Sequence, residues 1–414
     1  MSWLTPLFLL ALTAGTALRL WLGSRQIAAV QAHRDRVPGP FEGQISLADH
    51  QRAADYTVAR VRLGRVAVVV DALVTLGLTL GGGIALVDAA WRSTGWGQPW
   101  LGAAVIFTVL LFAGLINLPF SIWRTFRLEA RFGFNRTTPG LFVTDLLKSL
   151  LLGLLLGGPL LIAVLLLMER AGRWWWLYAW AVWIGFSLLL AWAWPRFLAP
   201  IFNRFTPLED EALRVRIEAL LARCGFDARG VFVMDGSRRS THGNAYFTGI
   251  GRNKRVVFLD TLLEKLGAAE IEAVLAHELG HFRLRHIHQG LLLSAVSALA
   301  GLALLGWLAR QPGFYAALGV PLPSTHAALL LFLLVAPVFT YFLTPLRAWW
   351  SRRHEFQADE FAAGYADARA LADALVKLYR DNASTLTPDR LHSAFYDSHP
   401  PALVRIARLT ASPG

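Results

Sequence analysis

Seven apolar runs, at about 4–23, 66–90, 99–122, 146–168, 174–194, 288–308 and 327–346, divide this chain of 414 residues. Each approaches or exceeds the roughly 20 residues that a helix needs to cross a hydrocarbon core. Hydrophobic residues make up 55% of the chain and charged residues 16%, which places it outside the soluble class. The expected fold is an all-α membrane protein with about seven transmembrane helices. The first run could pass for a cleavable signal, but Met1-Ser2-Trp3 offers no basic stretch before it, and Arg19 and Arg25 stand at its far end. It is expected to be a retained anchor with the N-terminus outside.

The basic residues agree with that topology. The inward segments 24–65, 123–148, 195–287 and 347–414 hold 7, 5, 14 and 9 Lys and Arg, whereas the outward turns hold only Arg92, Arg170, Arg173 and Arg310. This asymmetry follows the positive-inside rule. The formal charge of +12 therefore expresses topology and contact with anionic membrane lipids. No motif for RNA or DNA accompanies it, and no nucleic acid partner is expected. Trp91, Trp96, Trp100, Trp349 and Trp350 sit near run boundaries, where interfacial tryptophans anchor spans. Cys224 is the only cysteine, so any metal site must use His and carboxylates.

Four segments result: residues 1–194 with membrane helices 1–5, a polar insert at 195–287, membrane helices 6 and 7 at 288–346, and a polar helical C-terminal segment at 347–414. In the insert, Thr206-Pro207-Leu208-Glu209 has the form of a capping box with Pro at the first helical position, predicting a helix that stops near Cys224-Gly225. Residues 231–234 read as a short strand, and 244–249 with 255–259 as a β-hairpin. Asp260 is placed to cap a short helix ending at Gly267, and a helix over about 268–285 leads into the sixth run. The insert is expected to be a small α+β unit.

That last helix carries the chemistry. Residues four apart share one helical face, so His277 and His281 can bind one ion with Glu278 beside it, the H-E-x-x-H arrangement of zinc peptidases. A catalytic zinc takes three protein ligands and keeps one position open. The best third candidate is Glu355, one turn before Asp359, whose carboxylate could accept from the free ring N–H of a ligating histidine. His354 is a rival ligand, but it points about 100° away around the helix and has no comparable partner at the next turn. A solvated charge run suits Arg352 and Arg353. Asp71, in the second run, is an intramembrane acid and so a functional candidate by default; Asn117 and Pro119 mark the inner end of the third run.

The HELGH at 277–281, the EFQAD at 355–359, the stretch VMDGSRRSTHGNAYFTGIGRNKRVVFLDTLL at 233–263, the SHPP at 398–401 and the VPGPF near 37 together resemble the type I CAAX prenyl endopeptidase family of integral-membrane zinc metalloproteases. The resemblance covers most of the chain. It implies a helical barrel around an internal chamber, with the site on the cytoplasmic side. It also implies one zinc ion per chain held by His277, His281 and Glu355, with Glu278 as general base and Asp359 behind a ligand. His399 and Arg405 match positions that hold the substrate backbone and the developing oxyanion. Asn244, Ala245 and Tyr246 match an edge strand on which a peptide or protein substrate, lipidated or not, is laid.

Two features depart from the family pattern: Val404 stands where an acidic residue often precedes the arginine, and the final TASPG offers no endoplasmic-reticulum retrieval signal. With 36 Arg against 4 Lys, the expected location is a bacterial cytoplasmic membrane. A heat-shock membrane metalloprotease shares H-E-x-x-H but is expected to have fewer spans. A transporter or a scaffold with a structural zinc is the alternative of another class, and the chain lacks the two matching halves a transporter would show.

Overall fold

The computed structural model describes residues 3–226, 230–248 and 255–411. Among them, six helices are long and apolar enough to cross a membrane, and a bent pair supplies the seventh. The chain starts with a helical hairpin, α1 (Leu4–Ala32) against α2 (Leu47–Leu78), the latter capped by the Ser46 hydroxyl accepting from the Asp49 amide at 3.0 Å. α2 begins well before the second apolar run. Its polar first half places Tyr56, Thr57 and Arg60 toward the interior cavity.

The run expected as one span at 66–90 is bent by 49° between α2 and α3 (Gly83–Arg92). Glycine permits the bend. Gly82, at the break, has φ 78°; a Cβ on Gly319 would lie 2.4 Å from the Thr79 carbonyl oxygen, so only bare backbone lets the chain near residue 319 pack against the bend. α4 (Trp100–Trp123) continues through a π-helical turn, Arg124–Glu129. α5 (Pro139–Arg170) follows, and α6 (Trp175–Ala193) runs through a second π turn to α7 (Ala199–Phe202). Along α5 only Leu165 is buried, and leucines such as Leu147, Leu151 and Leu155 are exposed, the surface expected of a helix facing lipid.

In the polar insert the expected capping box is instead a strand, β1 (Phe205–Pro207), and the helix α8 (Glu211–Arg223) begins later. Asp210 caps it, accepting from the Leu213 amide at 3.0 Å. Thr206 forms ladder pairs with Val233 instead, because a neighbouring strand is available to satisfy its backbone. β2 (Val231–Met234), β3 (Ala245–Thr248) and β4 (Arg255–Leu259) complete a four-stranded sheet in the order β1-β2-β4-β3. β3 and β4 pair antiparallel, with Ala245 opposite Phe258; their connection lies outside the described residues. β3 is thus an edge.

Asp260 does not cap the next helix but forms its first residue, in α9 (Asp260–Leu263), and binds the Ser237 amide at 2.8 Å. α10 (Ala268–Arg283) starts where the Glu270 carboxylate accepts from the Gly267 amide at 2.7 Å. Two residues after its end, Arg285, with a φ of 59°, turns the chain into α11 (His286–Leu308). After α12 (Pro312–Ala317) and α13 (Thr325–Thr340) comes α14 (Thr344–Tyr365), which leaves the membrane helices and enters the polar part. α15 (Ala368–Asp381), α16 (Arg390–Tyr396) and α17 (Ala402–Ala411) close the chain.

Among the described residues, two large apolar cores stand out from smaller clusters. One joins the spans around Phe8, Ile84, Ile106, Leu305 and Leu330. The other joins the insert to the C-terminal helices around Ile217, Phe258, Leu275 and Ala374. The insert and the C-terminal segment, far apart in sequence, therefore share one core.

Candidate active site

The site forms where α10 crosses α14. Their backbones approach closely because small residues meet: a Cβ on Gly280 would lie 3.1 Å from the Cα of Ala358 and 3.2 Å from its carbonyl oxygen. Ala358 and Ala362 are buried on the facing stripe of α14, and Glu355 and Asp359 share that stripe. The glycine inside HELGH thus brings the two acids within reach of the two histidines.

The resulting geometry is close. His277 Nε2 lies 3.2 Å from His281 Nε2 and 3.5 Å from Glu355 Oε2, and His281 Nε2 lies 3.3 Å from Glu355 Oε1. Ligands of a tetrahedral zinc, each about 2.0–2.1 Å from the metal, are roughly 3.3 Å from one another. The three separations are close to that spacing, the two to Glu355 running to different oxygens of its carboxylate. His354, the rival ligand, is elsewhere: its ring stacks on His286 at 3.9 Å and bonds Gln289 at 3.1 Å.

The surrounding hydrogen bonds set the histidine tautomers. His277 Nδ1 is 2.9 Å from Asp359 Oδ1, so its N–H donates there and the Nε2 lone pair turns inward. For His281 the equivalent partner is His286, a residue the sequence reading missed. His286 Nε2 donates to Gln357 Oε1 at 3.0 Å, which leaves its Nδ1 to accept from His281 Nδ1 at 3.1 Å. Both Nε2 lone pairs therefore converge with the Glu355 carboxylate, and Glu355 Oε2 is buried without a hydrogen bond. Converging lone pairs around a buried, unsatisfied carboxylate call for a cation. The donor set fits zinc.

Glu278 lines the adjoining cavity of about 790 Å³, together with His277, His399, Arg405, Asn244 and Ala245. Burial raises the Glu278 carboxyl above its ordinary range, against the opposing pull of the neighbouring histidines. His399 faces this cavity with its Nε2 3.4 Å from Glu355 Oε1; the Ser398 hydroxyl lies 2.9 Å from its Nδ1, and burial holds its basicity below the usual imidazole range. Arg405 is buried and committed: its Nε and Nη2 donate to Asp359 at 2.9 and 2.6 Å, and Nη1 lies 3.4 Å from Glu355 Oε2. Val404 is exposed.

Two expected features change. Arg352, read as part of a solvated charge run, donates to the carbonyls of Asp397 at 2.8 Å, Ala394 at 3.2 Å and Ser393 at 3.3 Å. A guanidinium at the C-terminal end of α16 bonds the terminal carbonyls, sharing that of Ser393 with the Asp397 amide, and so anchors the segment leading to His399. Tyr246, grouped with Asn244 and Ala245, does not line the cavity; its hydroxyl lies 3.6 Å from Met234 Sδ, because alternate side chains of a strand point to opposite faces. The approach to β3 is braced from α15, where Asn382 Oδ1 accepts from the Gly243 amide at 3.3 Å and faces His242 Nδ1 at 3.1 Å. Asp71 lies away from the site, beside a small cavity it shares with Arg19 and Tyr341. Asn117 bonds back to the Ala113 carbonyl of its own helix.

Residues 26–204 match the family described as CAAX prenyl protease N-terminal, five membrane helices, and residues 207–412 match peptidase family M48. A CAAX prenyl protease 1 homolog of Oryza sativa is 36% identical over 74% of this chain and 72% of its own length. One from Caenorhabditis elegans is 30% identical over 98% of both chains. The crystal structure of S. mikatae Ste24p superposes with a TM-score of 0.88 at 28% identity, covering 98% of each chain.

Proposed function

Since this chain belongs to peptidase family M48 and carries the CAAX prenyl protease N-terminal helices ahead of its peptidase part, we propose that it is a zinc-dependent membrane endopeptidase in which His277, His281 and Glu355 hold one zinc ion and Glu278 is the general base. Family membership makes it an integral, multi-pass membrane metalloendopeptidase that acts on peptide or protein substrates. The observation that carries the zinc assignment is the close approach of three donor groups: the two Nε2 atoms lie 3.2 Å apart, and each faces a different oxygen of Glu355, at 3.3 and 3.5 Å.

Zinc, when bound, supplies Lewis acidity that lowers the pKa of water to about 7 and polarises a carbonyl. Glu278, made more basic by burial, takes the proton of the attacking water and returns it to the leaving amine. His399 accepts from the Ser398 hydroxyl at Nδ1, which leaves Nε2–H to donate to the carbonyl oxygen as its charge grows. Arg405 neutralises Asp359 and Glu355 and is a positioning residue in this arrangement. An extended peptide added beside β3 would bond its backbone in register, with Asn244 and Ala245 at the cavity wall.

The names of the relatives support a C-terminal CAAX sequence, prenylated in its natural form, as the substrate. The basic asymmetry of the loops supports a cytoplasmic catalytic side, and the arginine excess a bacterial cytoplasmic membrane. The test is cleavage of a fluorogenic CAAX peptide by the detergent-purified protein, with zinc or chelator added and with Glu278→Gln in parallel. Cleavage is expected to vanish with chelator and to drop by about 10²–10⁴ in the variant, the usual contribution of a general base. A fully active Glu278→Gln protein would overturn the assignment.

A further inference from the structure

Two arginines are among the described residues that line the catalytic cavity, and they differ in what they hold. Arg405 is bound to Asp359 through two hydrogen bonds. Arg60, on the face of α2 that also carries Tyr56 and Thr57, is exposed to the cavity. Among the described residues it forms no ion pair; its guanidinium rests 5.7 Å from the centre of the Tyr56 ring. Arg60 also lines an adjoining cavity of about 420 Å³, where Arg124 stands 3.8 Å from Glu129 and Arg239 binds Asp145 at 2.8 Å. Of the four arginines on these two walls, Arg60 alone lacks a carboxylate partner.

Its surroundings point toward the reacting centre. His392 and Asp397 both sense the charge of Arg60, and both belong to the segment that leads into Ser398 and His399. Burial raises the Asp397 carboxyl, against the pull of Arg352 and Arg60, and no ion pair joins it to Arg60 among the described residues. A guanidinium held in a partly enclosed cavity without an ion-pair partner favours an incoming anion, above all a planar one that it can grip with two N–H groups.

The substrate supplies such an anion. A cut immediately after the cysteine of a C-terminal CAAX sequence leaves three residues between the scissile carbonyl and the terminal carboxylate. Extended, they span about 10 Å. The cavity of about 790 Å³ has the volume of a sphere roughly 11 Å across, by simple geometry, and is of the size class that takes small ligands.

We propose that Arg60 is a specificity-determining residue that receives the C-terminal carboxylate of the substrate, so that the enzyme measures its cut from the end of the chain. The inference rests on the CAAX peptidase reading above, and it adds a receptor for the chain end to a site otherwise described only by its metal and its base. Capture of a terminal carboxylate costs little reorganisation when the receptor already stands in a cavity wall.

The experiment compares two fluorogenic CAAX peptides that differ only in ending as a free acid or as an amide. The wild-type protein is expected to prefer the acid by tenfold or more in kcat/KM, chiefly through KM. Arg60→Gln should bring the ratio of acid to amide close to one, and Arg60→Lys should keep part of the preference, with zinc content measured in each sample. A wild-type protein that cleaves both peptides equally overturns the inference while sparing the peptidase reading, and it needs no variant to fold. Retained preference in Arg60→Gln overturns it as well. Cleavage of neither peptide by the zinc-loaded wild type overturns the CAAX reading itself and the inference with it.

Discussion

Among the described residues, two buried histidine-carboxylate clusters are built to opposite ends. At the crossing of α10 and α14, His277, His281 and Glu355 leave their lone pairs facing one another, with an unsatisfied carboxylate oxygen and a cavity beside them. Among the spans, His326 is fully buried and fully satisfied. Its Nδ1 meets Gln98 at 3.1 Å, and its Nε2 meets Asp88 at 2.8 Å and Ser324 at 3.0 Å; the other Asp88 oxygen accepts from Arg92 at 2.8 Å. Gly102 has no room for a side chain there, since a Cβ would lie 2.9 Å from His326 Cβ. This second cluster ties the bent second span to α4 and α13, and none of it lines the cavities beside the site.

The difference teaches where chemistry resides. The same residue types serve as a lock when every polar atom is paired, and as a candidate reactive centre when the pairing is deliberately incomplete. Replacing Glu355 by Gln attacks the incomplete cluster and should have the largest effect. Bound zinc, measured by elemental analysis, should be lost, and peptidase activity should fall by at least about a thousandfold, the several kcal/mol that a metal contributes to charge stabilisation. Unchanged zinc content would erase the contrast between the clusters.

His326→Ala attacks the sealed cluster. It leaves one Asp88 oxygen buried without its hydrogen bond, although Arg92 still holds the other, and should lower stability by about 1–3 kcal/mol, seen as a lower Tm in detergent. Zinc content and turnover per folded molecule should stay at the wild-type level. A loss of turnover without a loss of stability would show that the lock and the site are one system.

The smallest effect is expected at a pair of intermediate burial, Arg25 with Asp389 at 2.9 Å, which joins α1 to the start of α16. Burial works against the Asp389 charge, but the Arg25 guanidinium and the His392 amide outweigh it, so its carboxyl sits below the usual range. A lowered folded pKa contributes stability above the unfolded value near 4, and that contribution is lost as pH falls through the folded value. Arg25→Gln should therefore lower Tm at neutral pH by an amount worth under about 1 kcal/mol, because the arginine is largely exposed, and the gap to wild type should close below about pH 4. A gap that widens in acid would reverse the sign of this contribution.

Much of the architecture was legible from residue order because it depends on local properties. Span length follows from runs of apolar residues, and helical periodicity alone places His277 over His281 and Glu355 over Asp359. The misreadings share a different origin. Thr206-Pro207 has the local form of a helix start, yet β2 lies alongside and claims its backbone, leaving Asp210 to cap the helix. Arg352 has the local form of a solvated charge until the end of α16 and the residue after it present the Ala394 and Asp397 carbonyls to it. His286 follows the motif by five residues, and only the left-handed turn at Arg285 folds it back onto His281.

By itself, then, the sequence determined that the chain crosses a membrane several times and which side chains can share one helical face. Tertiary structure alone decided which faces meet: that Gly280 admits α14, that Arg405 is spent on Asp359, and that Arg60 is left unpaired on a cavity wall. The physical reason is range. Hydrophobic length and helical phase are set within a few turns of chain, whereas the partner of a charge or a lone pair depends on segments up to hundreds of residues away.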